Sequence, residues 1–101
     1  MADQELYSGL IRLHILFHAV EGEIFGLGMI HELRRHGYRI GPGTLYPILH
    51  RLEEKGYLMS TAKVNGGKAR RVYSSTKRGR RALAAAIEKV RELYDELMEH
   101  A

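Results

Sequence analysis

The feature that most constrains this chain is a short apolar stripe within residues 41–58. Leu45, Ile48, Leu49 and Leu52 recur at i, i+3, i+4 and i+7, which is the spacing of one buried face of an amphipathic helix. Gly56 follows the stripe and is the residue type that favours the left-handed conformation ending a helix. The stretch therefore predicts a short helix that packs on a core through one face and exposes the other.

The exposed face of this predicted helix carries side chains that suit DNA contact: Thr44, Tyr46, Pro47, His50 and Arg51. Such groups reach base edges and phosphates from a helix in the major groove. A charged outer face is equally typical of any helix in a small domain. Tyr46 has the further alternative of packing beside the preceding turn. Either Pro42 or Thr44 could begin the helix. Pro47 lacks an N–H and falls within the first turn only if Thr44 is the N-cap; a start at Pro42 would leave Pro47 to kink the helix.

Beyond Gly56 the hydrophobic period changes from helical to extended. Residues 58–64 predict a strand, Asn65-Gly66-Gly67 a tight turn, and residues 69–74 the returning strand of a hairpin. Four cations belong to this hairpin, or wing, and are assigned to phosphate contact: Lys63, Lys68, Arg70 and Arg71.

Two helices are predicted before the stripe. The first, at residues 4–20, has two apolar sides, a seam and a second flank at Ile11 and Ile15. Two apolar sides predict that this helix packs between the DNA-binding core and a second subunit. The seam comprises Leu6, Leu10, Leu13, Phe17 and Val20. After a connection at residues 21–24, residues 25–36 predict a helix with Leu27, Ile30 and Leu33 facing inward. Residues 38–43 would then form the turn of a helix-turn-helix.

A long final helix is predicted at residues 77–99, with Thr76 as its N-cap. It carries a seam at four- and three-residue spacing, made of Leu83, Ile87, Val90, Tyr94 and Leu97. At about 1.5 Å per residue this helix exceeds what so small a core can cover. A second copy of the chain is expected to cover it through both seams. A two-fold dimer of this kind would place the two DNA-contacting helices of residues 41–58 about 34 Å apart, which is one turn of the duplex.

Composition narrows the function classes. The length of 101 residues predicts one domain, with a winged helix-turn-helix core at about 4–75 and a dimerisation helix at about 76–100. The chain contains no cysteine, which excludes disulfides and thiolate chemistry. No signal peptide, membrane span or catalytic motif is recognisable, so we expect a cytoplasmic, non-enzymatic protein without a cofactor. The net charge is only +4, but the interval between Glu54 and Glu88 holds nine cations and no acid. Beside a candidate groove-reading helix, that block is the charge pattern expected for a polyanionic partner, with a solvated basic surface as the alternative.

His14 and His18 lie i, i+4 on the first predicted helix, so both could face one metal ion or a haem. No HExxH glutamate accompanies them. Structural or solvent-exposed histidines are therefore favoured, and no metal site is assigned.

Residues 42–53, Pro42-Gly43-Thr44-Leu45-Tyr46-Pro47-Ile48-Leu49-His50-Arg51-Leu52-Glu53, followed by Gly56-Tyr57-Leu58, resemble the recognition helix of the PadR family of bacterial transcriptional regulators. Arg70-Arg71-Val72-Tyr73 and the run from Thr76 to Leu83 resemble that family's second wing strand and C-terminal helix. One departure is Phe25-Gly26-Leu27, where the family usually has His-Gly-Tyr.

The resemblance implies a dimeric protein that binds operator DNA, usually as a repressor, and that releases it when a small aromatic or cationic effector binds. Leu13, Phe17, Val90 and Tyr94 are then candidates to line the effector pocket, with a dry dimer core as the alternative role for these side chains.

The sequence thus predicts a mainly α fold with a small β-hairpin, a winged helix-turn-helix with a C-terminal dimerisation helix. The predicted function is sequence-specific binding to palindromic double-stranded DNA as a homodimer. Two alternatives stay open: a winged-helix module that binds an acidic protein, and a metal- or haem-sensing regulator using His14 and His18.

Overall fold

The computed structural model describes residues 4–100. Its elements follow in the order α1 (Gln4–Glu21), β1 (Ile24–Phe25), α2 (Gly26–Arg35), α3 (Pro42–Glu54), β2 (Leu58–Asn65), β3 (Lys68–Ser75) and α4 (Lys77–Glu99). Four helices with a small antiparallel sheet confirm the predicted winged helix-turn-helix. No helix within residues 4–100 is both long and apolar enough to cross a bilayer.

The helix built on the apolar stripe begins at the earlier of its two candidate positions. Gly41 is the N-cap of α3 and Pro42 occupies the first turn, where a missing N–H costs nothing. The Gly41 carbonyl accepts hydrogen bonds from the N–H groups of Thr44 and Leu45 at 3.1 and 3.0 Å. Pro47 consequently lies inside the helix. The helix is followed, as predicted, by Gly56 in the left-handed region at φ +83°.

The strand order is β1-β3-β2, with both pairings antiparallel. The prediction of a plain connection ending at residue 24 was wrong, because Ile24 and Phe25 pair with Tyr73 and Val72 of β3. Two residues are too few to show a strand period in the sequence. The hairpin prediction is confirmed: Asn65 pairs with Lys68, and Gly66 and Gly67 between them both have positive φ.

The core lies between α1, α2, α3 and the sheet. Its most deeply buried large side chains are Ile11, Ile15, Leu33, Leu45, Leu49, Leu58 and Tyr73. The prediction that Leu27 faces inward was wrong, since its side chain is 56% exposed. Gly26 takes the inward position instead: a Cβ there would lie 2.2 Å from the Tyr46 hydroxyl oxygen. Only glycine allows α3 to approach so closely.

The long helix α4 is fixed at its N-terminus. Thr76 is the N-cap, as predicted, and its Oγ1 accepts a hydrogen bond from the Gly79 N–H at 3.0 Å. The same hydroxyl donates to the Gly56 carbonyl at 2.6 Å. In the described part of the chain, Gly79 is the one residue of α4 that is buried. The helix therefore extends well beyond the core.

Candidate nucleic-acid interface

The solvent-facing side of α3 presents the predicted groove-contacting residues. Thr44, Pro47 and His50 are exposed, while the four residues of the apolar stripe are buried on the opposite side. Packing of Leu45 and Leu49, both fully buried, fixes the rotation of the helix. The three exposed side chains therefore project together from a rigid element, which suits contact with base edges.

Tyr46 and Arg51 lie at the edges of this surface. The Tyr46 ring packs against Gly26 at the start of α2 and retains 39% exposure. A guanidinium nitrogen of Arg51 is 3.7 Å from the Glu54 carboxylate. Arg51 also borders an apolar groove formed by α1 and α4. Both residues thus have contacts within the subunit in addition to an accessible face.

The wing carries the four predicted cations, but their surroundings differ. Lys63 forms an ion pair with Glu23 at 2.7 Å, and the Arg70 guanidinium lies 3.9 Å from the centre of the Phe25 ring. Arg71 donates to the Ser60 hydroxyl at 3.1 Å, and Ser60 donates to Glu53 at 2.7 Å. Within residues 4–100, Lys68 makes no such contact. It lies beside the two-glycine turn, at the tip of the hairpin.

A cleft of about 350 Å³ lies between α3, the start of α2 and the wing. Tyr46 and the start of α2 line one side, and Lys68, Arg70 and Arg71 line the other. The structure therefore brings together cations that are separated from α3 by more than a dozen residues of sequence. Lys63 does not line this cleft; its ammonium group is paired with Glu23.

The residues predicted to form a dimer interface make an apolar face on α1 and α4. Most are exposed, including Phe17 at 46% and Val90 at 44%, while Leu13 and Leu83 are half-buried. The remaining members are Leu6, Leu10, Ile87, Tyr94 and Leu97, all of them exposed. Such a contiguous exposed face is typical of an interaction surface.

Two grooves run along this face. One of about 430 Å³ is lined by Leu13, Phe17 and Val90, three of the four predicted effector-pocket residues. The other, of about 650 Å³, shares Leu13 and Val90. Tyr94 lies further along α4 and lines neither of these two grooves.

His14 and His18 belong to a larger cluster that the sequence reasoning missed. His36, at the end of α2, joins them, and one ring nitrogen from each histidine lies within 4.8 Å of the others. Glu32 lies between His18 and His36, with its Oε2 atom 3.5 and 2.9 Å from their Nε2 atoms. Burial, followed by the positive charges of His36 and His18, lowers the pKa of His14, and a hydrogen bond from His36 lowers the pKa of Glu32.

The i, i+4 spacing of Glu32 and His36 was visible in the sequence, but its alignment with His14 and His18 depends on how α1 and α2 pack. The predicted helix at residues 25–36 ends at His36, but the sequence did not indicate which side chains His36 contacts.

Residues 15–85 match the family described as the transcriptional regulator PadR-like family. The chain is 48% identical over 95 residues to Transcriptional regulator Rv3488 of Mycobacterium tuberculosis, covering 94% of this chain and 89% of that protein. Among solved structures, a PadR family regulator from Eggerthella lenta has a TM-score of 0.82 at 32% identity, covering 94% of this chain and 84% of that one. A Streptococcus transcriptional regulator has a TM-score of 0.85 over 96% and 97% of the two chains; at 21% identity this likeness shows the fold alone.

Proposed function

Because the chain belongs to the PadR-like family of transcriptional regulators, we propose that it represses transcription by binding a palindromic operator as a homodimer in the cytoplasm. The observation that carries this proposal is the exposed side of α3. Thr44, Pro47 and His50 face solvent together there, beside a basic wing. We assign base contacts to Thr44, Tyr46, Pro47, His50 and Arg51, and phosphate contacts to Lys63, Lys68, Arg70 and Arg71.

The dimer is proposed from the apolar face of α1 and α4. Burying this face against a second copy removes a large nonpolar area from water, which favours association. A two-fold axis through these helices would place two α3 helices against successive major grooves on one side of the duplex, about 34 Å apart. The operator would then be an inverted repeat with half-sites one helical turn apart.

Release by a small effector is proposed from the groove of about 430 Å³ beside this face. Leu13 and Phe17 of α1 face Val90 of α4 across it, so a ligand there would contact both dimerisation helices. Its apolar lining suits a small aromatic compound, and the neighbouring Glu32 suits a cationic one. Movement of α1 relative to α4 would change the spacing of the two α3 helices.

The test is selection of bound fragments from the source genome, followed by fluorescence anisotropy of the selected duplex and a shuffled duplex over a range of salt. We expect an inverted repeat bound at least about 10³-fold more tightly than the shuffled sequence, with affinity falling steeply as salt rises. Equal affinity for both duplexes at every salt concentration would contradict the proposal.

A further inference from the structure

We propose that His14, His18, His36 and Glu32 form a binding site for one divalent transition-metal ion, with Zn²⁺ as the best match, at the junction of α1 and α2. These four residues come from two i, i+4 pairs. His14 and His18 project from one side of α1, and Glu32 and His36 project towards them from the end of α2. Four ligands from two packed helices can surround one ion.

The distances in the cluster are close to those of a metal site. Ligand atoms of the three histidines lie within 4.8 Å of one another. In a tetrahedral zinc site with Zn–N bonds of about 2.0–2.1 Å, the nitrogens are separated by about 3.4 Å. Closing this gap takes a movement of about 1 Å, through rotation of the side chains together with a small shift of the end of α2 towards α1.

The chemistry of the donors selects the kind of ion. Three imidazoles with one carboxylate match the ligands of Zn²⁺, Co²⁺ and Ni²⁺, whereas Mg²⁺ and Ca²⁺ prefer all-oxygen sites. The chain has no cysteine, so the site lacks the thiolate that favours softer ions such as Cu⁺.

The residues around the cluster hold its side chains in place. Arg35 donates to Oε1 of Glu32 at 3.1 Å, which leaves Oε2 facing His18 and His36. The rings of His14 and Tyr38 meet edge to face with centroids 5.5 Å apart. Outer contacts of this kind orient metal ligands and strengthen binding. All four proposed ligands open onto the groove of about 430 Å³, whose lining also includes Leu10, Leu13 and Leu83, so an ion can reach the cluster from that groove.

The position of the cluster gives the ion a regulatory role, an inference that rests on the proposed operator binding. His36 immediately precedes Gly37, and residues 37–41 lead directly into α3. A metal ion would tie this end of α2 to α1, which carries part of the proposed dimer face. We therefore infer that Zn²⁺ shifts α3 relative to the dimer axis and weakens operator binding.

Metal binding is tested first without DNA. The full chain, freed of metal with a chelator, is titrated with Co²⁺ by visible absorption and with Zn²⁺ by calorimetry. We expect one ion per chain and the d–d absorption of Co²⁺ in a nitrogen-rich site. His36→Asn should weaken Zn²⁺ binding by at least about 100-fold, since even outer contacts of metal sites are worth about 10–100-fold.

The matched control is His31→Asn, which changes an exposed histidine of the same helix outside the cluster and should leave Zn²⁺ binding unchanged. Circular dichroism with thermal melting checks that both variants fold. Absence of binding by the wild type, or equal losses in both variants, would overturn the site.

Operator anisotropy with and without Zn²⁺ then tests regulation. The operator Kd of the wild type should rise at least about fivefold in Zn²⁺, and that of His36→Asn should not change. If the protein binds Zn²⁺ but its operator Kd is the same with and without Zn²⁺, the regulatory inference is overturned. Failure to bind any operator in the absence of metal would overturn the proposed function instead.

Discussion

At the scale of single residues, cations that look equivalent in the sequence have different partners in the fold. Lys63 is paired with Glu23, Arg70 with the Phe25 ring, and Arg71 with Ser60, whereas Lys68 makes no such contact within the described residues. A residue that must give up an internal partner to reach a phosphate gains less from DNA than one already exposed to water. The wing cations should therefore contribute unequally.

His50 and Lys68 give the clearest contrast between base and phosphate contacts. His50→Ala should cost about 1–3 kcal/mol in operator affinity and little with random DNA, because a base contact is lost. Lys68→Ala should weaken both duplexes alike and reduce the salt slope by about 1 per site, because a phosphate contact is lost. Anisotropy titrations over a range of salt measure both effects. Equal losses by both variants on both duplexes would contradict the assignment.

The ion pair of Glu23 with Lys63 should restrain DNA binding. Both side chains are about half exposed, so breaking the pair costs less than about 1 kcal/mol of stability. Glu23→Gln would remove an acid beside the wing and release Lys63 to a phosphate, and we expect tighter binding to all duplexes at low salt. The matched control is Glu21→Gln, which makes the same charge change on an exposed residue of α1. If the two variants behave identically, the effect comes from net charge and not from the pair.

At the scale of elements, a hydrogen-bonded junction connects the end of α3 with the start of α4. The Thr76 N–H and hydroxyl bond to the carbonyls of Tyr57 and Gly56. Arg78 donates to the Lys55 carbonyl at 2.9 Å. These bonds tie the end of α3 to the start of α4, which gives a physical route from the proposed dimer face to the proposed DNA contacts.

The close approach at Gly79 makes this junction sensitive to a single methyl group. A Cβ there would lie 2.2 Å from the Tyr57 carbonyl oxygen, and backbone cannot yield as a flexible side chain can. Gly79→Ala should therefore destabilise the fold by about 1–3 kcal/mol. Gly43→Ala, at a helical position with no atom within 4 Å of the added Cβ, should be neutral or stabilising by up to about 1 kcal/mol. Urea unfolding followed by circular dichroism compares the two, and equal stability would refute the steric argument.

At the scale of the whole molecule, the protein is 54 Å long but only 20 Å thick in its shortest dimension. In the distal half of α4, every residue from Ile87 to Glu99 is exposed. The exposed part of the apolar seam on α4 is more stable when a partner covers it. The shape therefore favours assembly.

Val90→Glu tests this assembly. A charge buried in the proposed interface should produce monomers and abolish cooperative operator binding, because desolvating an unpaired carboxylate costs several kcal/mol. Ala85→Glu adds the same side chain to the opposite side of α4 by the helical period and should leave the dimer intact. Size-exclusion chromatography with light scattering gives the mass of each variant. A Val90→Glu protein that remains dimeric would place the interface elsewhere.

The sequence alone determined the main helices, the hairpin and the exposed side of α3, because these follow from local rules. The 3.6-residue period of Leu45 to Leu52, the two glycines after Asn65 and the N-cap Thr76 each specify structure within a few neighbouring residues. Resemblance in the same segments predicted the family, which the matches confirm.

Only the tertiary structure decided features that depend on how distant elements pack. The pairing of Ile24 and Phe25 with β3, the rotation of α2 that exposes Leu27, and the partners of the wing cations all required contacts across the chain. The proximity of His36 to His14 and His18 also depends on how α1 and α2 pack. A helix period specifies which side chains share a face, but the orientation of one helix against another is set by the whole core.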